Sequence, residues 1–298
     1  MKSLTFKKLD AFSVNGSSGN PAGAVYLKNS DELTPLEMQK LARELKGYVS
    51  EVGFISEIEI NHYWIRYYSS EREVDFCGHA TIAIMYDLIQ NNSELLNQKQ
   101  IYISTKNSKL IVENHIETKN CVFITAPSPT FKPFRDTKEH LSKALRIDPN
   151  NIDDRYPVSI VNAGLETLII PIISLKSILT VSPDIDELKS YCIANSIDII
   201  TLYSEEVSFT SNQYRTRVFA PTFGYLEDPA TGSGNAAFGH YLLANKKWKD
   251  KSISIEQNNS PDKPNIVKLA AYDDGKEQFR VLFGGNALVK VEGIYYLS

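Results

Sequence analysis

The chain has 298 residues, 42% hydrophobic and 23% charged, with 32 Lys and Arg against 36 Asp and Glu for a net charge of -4. That length favours two compact domains over one, and the acidic balance supplies no basic face for nucleic acid. No run of about 18 apolar residues is present to span a bilayer, so a small molecule is the expected partner and a membrane is not. The opening MKSLTFKKLDAF lacks an apolar signal-peptide core, and a cytoplasmic location is expected. Cys77, Cys121 and Cys192 are odd in number, far apart and without CxxC spacing, which suggests neither a disulfide framework nor a zinc site. The acids and histidines likewise do not cluster at ligand spacing, so no metal is expected.

Residues 5–12 and 22–28 read as strands flanking the turn-rich NGSSGNP, residues 15–21, a loop expected to face a ligand. Thr34-Pro35-Leu36-Glu37 is a capping box with proline at the first helical position, predicting a helix over 35–46 that stops at Gly47. The following YVSEVGFI is apolar and β-branched, which places Glu51 near the beginning of a strand. HATIAIMYDLI (79–89) and GNAAFGHYLLA (234–244) are apolar nearly all round, where a surface helix would carry a polar stripe. They are predicted as buried axes around which strands wrap, with His240 a satisfied core residue.

The approaches to these two helices share an order. Residues 64–86 and 215–241 each run from an arginine in an aromatic strand through a polar loop, an aspartate and small residues into the apolar helix. Setting Asp75 against Asp228 places Cys77 opposite Ala230 and predicts an internal duplication, with division into 1–117 and 118–298. The start of a buried helix offers unpaired N–H groups and partial positive charge, which suits a carboxylate. Asp228 ahead of the Gly232-Ser233 turn would repel a phosphate but can accept from an amino or hydroxyl group of the same substrate. A small anionic or zwitterionic substrate follows.

Four stretches, SEVGFI (50–55), GNPAGAV (19–25), EVDFCGHAT (73–81) and above all EDPATGSG (227–234), resemble the PhzF-like isomerases of phenazine biosynthesis, as does FGGNALVKVEGIYYL at 283–297. The resemblance covers most of the chain. It implies an α+β, diaminopimelate-epimerase-like fold of two pseudo-symmetric lobes, each a curved sheet around a central helix, with the final strand near 287–298 returning to the N-terminal lobe. It further implies a cofactor-independent proton shift between carbons of a carboxylate-bearing substrate such as a dihydro-hydroxyanthranilate. Glu51 would be the acid/base, with His79 and Asp228 catalytic and Gly78, Gly232, Ser233 and Asn20 binding substrate. A homodimer is implied by the same resemblance. Two-thiol epimerisation is not expected, since Cys77 has no counterpart thiol. The chain departs from the pattern at Ser69-Ser70 and at EQNNSPDKPN (256–265), where only Gln257 and Pro264 match, so substrate specificity is expected to differ.

Two other readings compete. Gly232-Ser233-Gly234-Asn235-Ala236-Ala237 fits a loose dinucleotide-binding fingerprint with Glu256 as the ribose acid, although Glu-Asp-Pro before it opposes a pyrophosphate. A non-catalytic small-molecule binder would keep the same cleft, and the glutamate at 51 argues against it.

Overall fold

In the computed structural model, which describes residues 1–14, 16–248, 252–273 and 279–298, the chain divides into two compact units. Unit 1 comprises Met1–Ser13, Ser18–Thr125 and Gly284–Ser298, and unit 2 comprises Val14–Ser17 and Ala126–Phe283. Asn15, at the start of the expected ligand-facing loop, lies outside the described residues.

Unit 1 opens with β1 (Lys2–Ala11) and β2 (Asn20–Tyr26), followed by α1 (Pro35–Glu44). The capping box at Thr34 is formed: its hydroxyl accepts the Glu37 N–H at 3.3 Å while the Glu37 carboxylate accepts the Thr34 N–H at 2.8 Å. Then come β3 (Glu51–Glu59), β4 (His62–Ser69), the two-residue β5 (Glu73–Val74), α2 (Gly78–Gln90), α3 (Ser93–Leu96), β6 (Gln100–Ser104), β7 (Lys109–His115), α4 (Ile116–Lys119) and β8 (Cys121–Thr125). Unit 1 extends beyond residue 117 because β8 pairs with β7. Unit 2 contains β9 (Thr130–Pro133), α5 (Lys138–Leu145), β10 (Ser159–Asn162), β11 (Glu166–Pro171), α6 (Leu175–Thr180), α7 (Ile185–Ala194), β12 (Ile199–Ser204), β13 (Tyr214–Phe219), β14 (Glu227–Asp228), α8 (Gly232–Ala244), β15 (Ser252–Gln257) and β16 (Asn265–Asp273). Next is β17 (Phe279–Gly285), assigned to unit 2 through Phe283; β18 (Ala287–Leu297) closes the chain within unit 1, paired with β1.

Strand pairing carries the duplication. In unit 1, β18 is antiparallel to β1, β1 antiparallel to β2, β2 parallel to β3, β3 antiparallel to β4, β4 parallel to β6, and β6 antiparallel to β7. In unit 2 the same sequence of directions runs through β9, β10, β11, β12, β13, β15 and β16. The short strands β5 and β14 fold back on β4 and β13 in the same way. In each copy the last residue of the short strand stands four positions before the first helical residue, 74 to 78 and 228 to 232. That phase matches Val74 with Asp228, Cys77 with Thr231, Gly78 with Gly232 and His79 with Ser233. The sequence alignment of Asp75 with Asp228, and of Cys77 with Ala230, is therefore one residue out. Thr231 is no more a thiol than Ala230, so the argument against two-thiol chemistry stands.

Each 13-residue central helix is enclosed by its own unit. α2 packs against β1, β2, β3, β8 and β18, burying Ala80 to Asp87 and Ile89; α8 packs against β10, β11, β12 and β16, burying Gly232 and Gly234 to Leu242. Close approach is written into two glycines. A Cβ at Gly53 on β3 would stand 2.2 Å from Ile84 Cδ1 of α2, and one at Gly232 would stand 2.2 Å from the Phe283 ring. No described helix is long and apolar enough to cross a membrane.

Unit 2 also contains a fully buried ion pair. Arg215 donates to Glu256 at 3.0 Å with both side chains at 0% exposure. Glu256 also accepts the Ser208 and Phe209 N–H groups, both at 2.8 Å, and Arg215 donates to the Asn258 and Ser260 carbonyls at 2.7 Å. Glu256 is thus committed to the fold, which removes the ribose acid that the dinucleotide reading requires. His240 is buried as expected but only half satisfied: its ring bonds the Pro127 carbonyl, and Nε2 has no partner among the described residues.

Glu256→Ala is expected to lower unfolding stability by about 3–5 kcal/mol, measured in urea, because it strands a buried guanidinium. Adding Arg215→Met should shrink that loss. Burial pushes the His240 imidazole from 6.5 down to about 4. The unfolded state therefore binds more protons between those values, and stability is lost as pH falls from 6.5 towards 4, by up to about 3 kcal/mol. His240→Gln should show a smaller drop in urea midpoint between neutral and acid pH than the parent.

Candidate active site

Glu51 begins β3, and the parallel register with β2 sets it opposite Ala22. His79 is the second residue of α2, with its Nε2 3.4 Å from Glu51 Oε2. Cys77, immediately before the helix, places Sγ 3.5 Å from His79 Nδ1 and 4.0 Å from Nε2. The Glu51 side chain keeps 24% exposure and that of His79 12%, so the pair is largely enclosed yet reachable. Burial pushes the His79 imidazole below its ordinary value, against the Glu51 carboxylate and a hydrogen bond to the Pro21 carbonyl, which both pull it back up. The ring is accordingly neutral near pH 7, able to donate from one nitrogen and accept at the other. Asn20 is buried at the head of β2, next to Pro21. Gly19 before it adopts φ +65°, where a Cβ would meet the Ala11 carbonyl oxygen at 2.7 Å.

The start of α2 lacks a side-chain cap and carries no acid in its first turn. Its Gly78, His79 and Ala80 N–H groups have no acceptor within the helix, so its positive end suits an anionic group. By contrast, Thr34, Thr137 and Asp184 cap α1, α5 and α7 with their side chains. The first turn of α2 is fixed from behind: the Thr81 hydroxyl donates to the Cys77 carbonyl at 2.6 Å and meets the fully buried Tyr67 hydroxyl at 2.5 Å.

In unit 2, α8 begins the same way, with Thr231 providing no side-chain cap and no acid in the first turn. Gly232 is buried and Ser233 half-buried at its first two positions. Asp228 accepts the Ala230 N–H at 3.3 Å, in the manner of an Asx turn. Glu227, the other acid of the corner, is held by Arg217 through two bonds of 2.9 and 2.7 Å. Gln257 donates to the Asp228 carbonyl at 2.7 Å and accepts from the Thr231 N–H at 3.0 Å and from Asn235 Nδ2 at 2.6 Å. Asn265 donates to the Pro229 carbonyl at 2.8 Å. The 256–265 segment therefore holds the turn that carries Asp228.

The fold thus brings Glu51, His79, Gly78 and Asn20 into one unit, and Asp228, Gly232 and Ser233 into the other. Sequence reading missed Asn235, Gln257 and Asn265 as supports of the Asp228 turn; a buried asparagine inside the apolar α8 was the available signal for the first. It also missed a side-chain cluster. The ligand atoms of Glu51, Cys77 and His79 all lie within 4.8 Å of one another, which corrects the reading that acids and histidines do not gather at ligand spacing.

Two sets of strands of like topology, each around a central helix, are the architecture of the diaminopimelate-epimerase-like fold. A hydroxyproline epimerase from Agrobacterium vitis shares that fold, with TM-score 0.58 at 9% identity over 99% of this chain and 91% of that one. The chain belongs to the phenazine biosynthesis-like protein family, whose model matches residues 9–293. It is 32% identical to an uncharacterized isomerase of Clostridium acetobutylicum, over 95% of this chain and 94% of the relative. It is 24% identical to the trans-2,3-dihydro-3-hydroxyanthranilate isomerase of Pseudomonas fluorescens, over 97% and 98% respectively. A crystal structure of the Bacillus anthracis phenazine biosynthesis protein of the PhzF family matches with TM-score 0.87 at 25% identity, over 99% of this chain and all of that one.

Gln257→Leu removes the partners of the Asp228 carbonyl, the Thr231 N–H and the Asn235 amide together. A loss of about 1–3 kcal/mol in urea unfolding is expected, and an unchanged midpoint would mean the turn is held without it.

Proposed function

We propose that the protein is a cofactor-independent isomerase that moves a proton between two carbons of a small, carboxylate-bearing substrate, with Glu51 as acid and base. The observation that carries this reading is the Glu51 carboxylate 3.4 Å from the half-buried His79 at the uncapped start of a central helix. The roles follow from residue chemistry. The N–H groups around Gly78 take the substrate carboxylate and orient it. Glu51 removes the proton from one carbon, keeps it while enclosed from water, and delivers it to another. His79 accepts a hydrogen bond from the protonated Glu51 or polarises the reacting π-system, and Asn20 supports the strand end that bonds its ring. In the second unit, Asp228 offers an acceptor suited to an amino or hydroxyl group, and Gly232 and Ser233 offer N–H donors at a helix start. A dihydro-hydroxyanthranilate or a related cyclic amino acid has the required parts, in keeping with the relative from Pseudomonas fluorescens.

Proton NMR in D₂O tests this with trans-2,3-dihydro-3-hydroxyanthranilate and a panel of cyclic and linear amino acids. Isomerisation or deuterium uptake is expected with at least one of them, reduced by about 10²–10⁴ in Glu51→Gln. Equal rates in the variant would remove Glu51 from the mechanism, and saturable ligand binding without exchange on any of them would make the chain a binder.

A further inference from the structure

Glu51, Cys77 and His79 hold a carboxylate oxygen, a thiol sulfur and an imidazole nitrogen within 4.8 Å of one another, the one such group among the described residues. Ligands held at about 2.0–2.3 Å around a tetrahedral zinc ion stand roughly 3.3–3.6 Å from one another. The His79 Nε2 to Glu51 Oε2 distance is 3.4 Å, the Cys77 Sγ to Nε2 distance is 4.0 Å, and all three ligand atoms lie within 4.8 Å of one another, so the side chains must draw together to seat the ion. Donor softness selects the class: thiolate plus imidazole prefers zinc and its neighbours to magnesium or calcium. Three protein ligands leave a fourth position for water or substrate.

We propose that Glu51, Cys77 and His79 form a binding site for a thiophilic divalent cation such as Zn²⁺, and that its occupation blocks the isomerase by tying up the carboxylate that must carry the proton. Binding stands on the geometry alone; the block rests on the role of Glu51 proposed above. Cys77 gives up its thiol proton on binding, which passes to solvent, so affinity rises with pH.

The test uses the reduced full-length protein and Co²⁺ alone as the probe. One equivalent should produce a thiolate-to-cobalt charge-transfer band in the near ultraviolet and the strong visible bands of a four-coordinate ion, both erased by Zn²⁺. Cys77→Ala and His79→Ala should each weaken binding by more than about tenfold while keeping the far-ultraviolet circular dichroism of the parent. Cys121 and Cys192 are both fully buried and serve as internal controls. No charge-transfer band, or undiminished binding in Cys77→Ala, would overturn the site. Turnover is read separately on whichever substrate the NMR panel yields. Inhibition by Zn²⁺ that a chelator reverses supports the block, and full turnover with the ion bound overturns the block while leaving the site.

Discussion

A helix buried on every side can leave only its ends to the outside, and the rest of the molecule follows from that constraint. α2 and α8 hold no polar stripe, so a strand sheet must close around each. The first turn of such a helix still carries N–H groups that no residue within it can satisfy. In α1, α5 and α7 a threonine or aspartate side chain supplies the acceptor; at Cys77 and Thr231 none does. Leaving these ends uncapped is costly within a fold and useful for an anion, and the candidate site residues Gly78, His79, Gly232 and Ser233 stand at them. The backing from Tyr67 and Thr81 in one unit, and from Gln257 and Asn265 in the other, keeps those first turns rigid without occupying them.

Much of this was legible in the sequence because it is written in periodicity and local chemistry. The capping box at Thr34, the strand beginning at Glu51 and both apolar helices needed only neighbouring residues. The duplication was legible in order but not in phase. Matching Asp75 to Asp228 relied on a shared letter, whereas the true phase is set by the return of β5 and β14 onto their partner strands, across connecting loops of different length. The Glu51–Cys77–His79 cluster was hidden because its members belong to a strand and a helix start that only tertiary packing joins. Glu256 was misleading for a related reason: an acid at the end of SISIE looks available until Arg215 is found beside it, and no periodic pattern announces a buried pair. Of the supports of the Asp228 turn, Asn265 lies in the segment where the resemblance fails and Gln257 is one of the two residues there that match it, yet a match in type says nothing of which carbonyl an amide will reach.

The shared register also shows how one ancestral unit came to carry two chemistries. Pairing on β3 and β4 sets Gly53 opposite Tyr67, and pairing on β12 and β13 sets Thr201 opposite Val218, which matches Gly53 with Thr201 and therefore Glu51 with Ile199. Ile199 is 3% exposed and apolar. In the same frame His79 corresponds to Ser233, Cys77 to Thr231 and Val74 to Asp228. At the compared positions, unit 1 sets a carboxylate beside an imidazole and a thiol, whereas unit 2 offers hydroxyls, N–H groups and one carboxylate with an Asx-turn bond. A racemase built on this fold would need equivalent bases in both copies. The proposed transfer of a proton out and back by one residue therefore draws on the divergence of the two copies, more than on the fold they share.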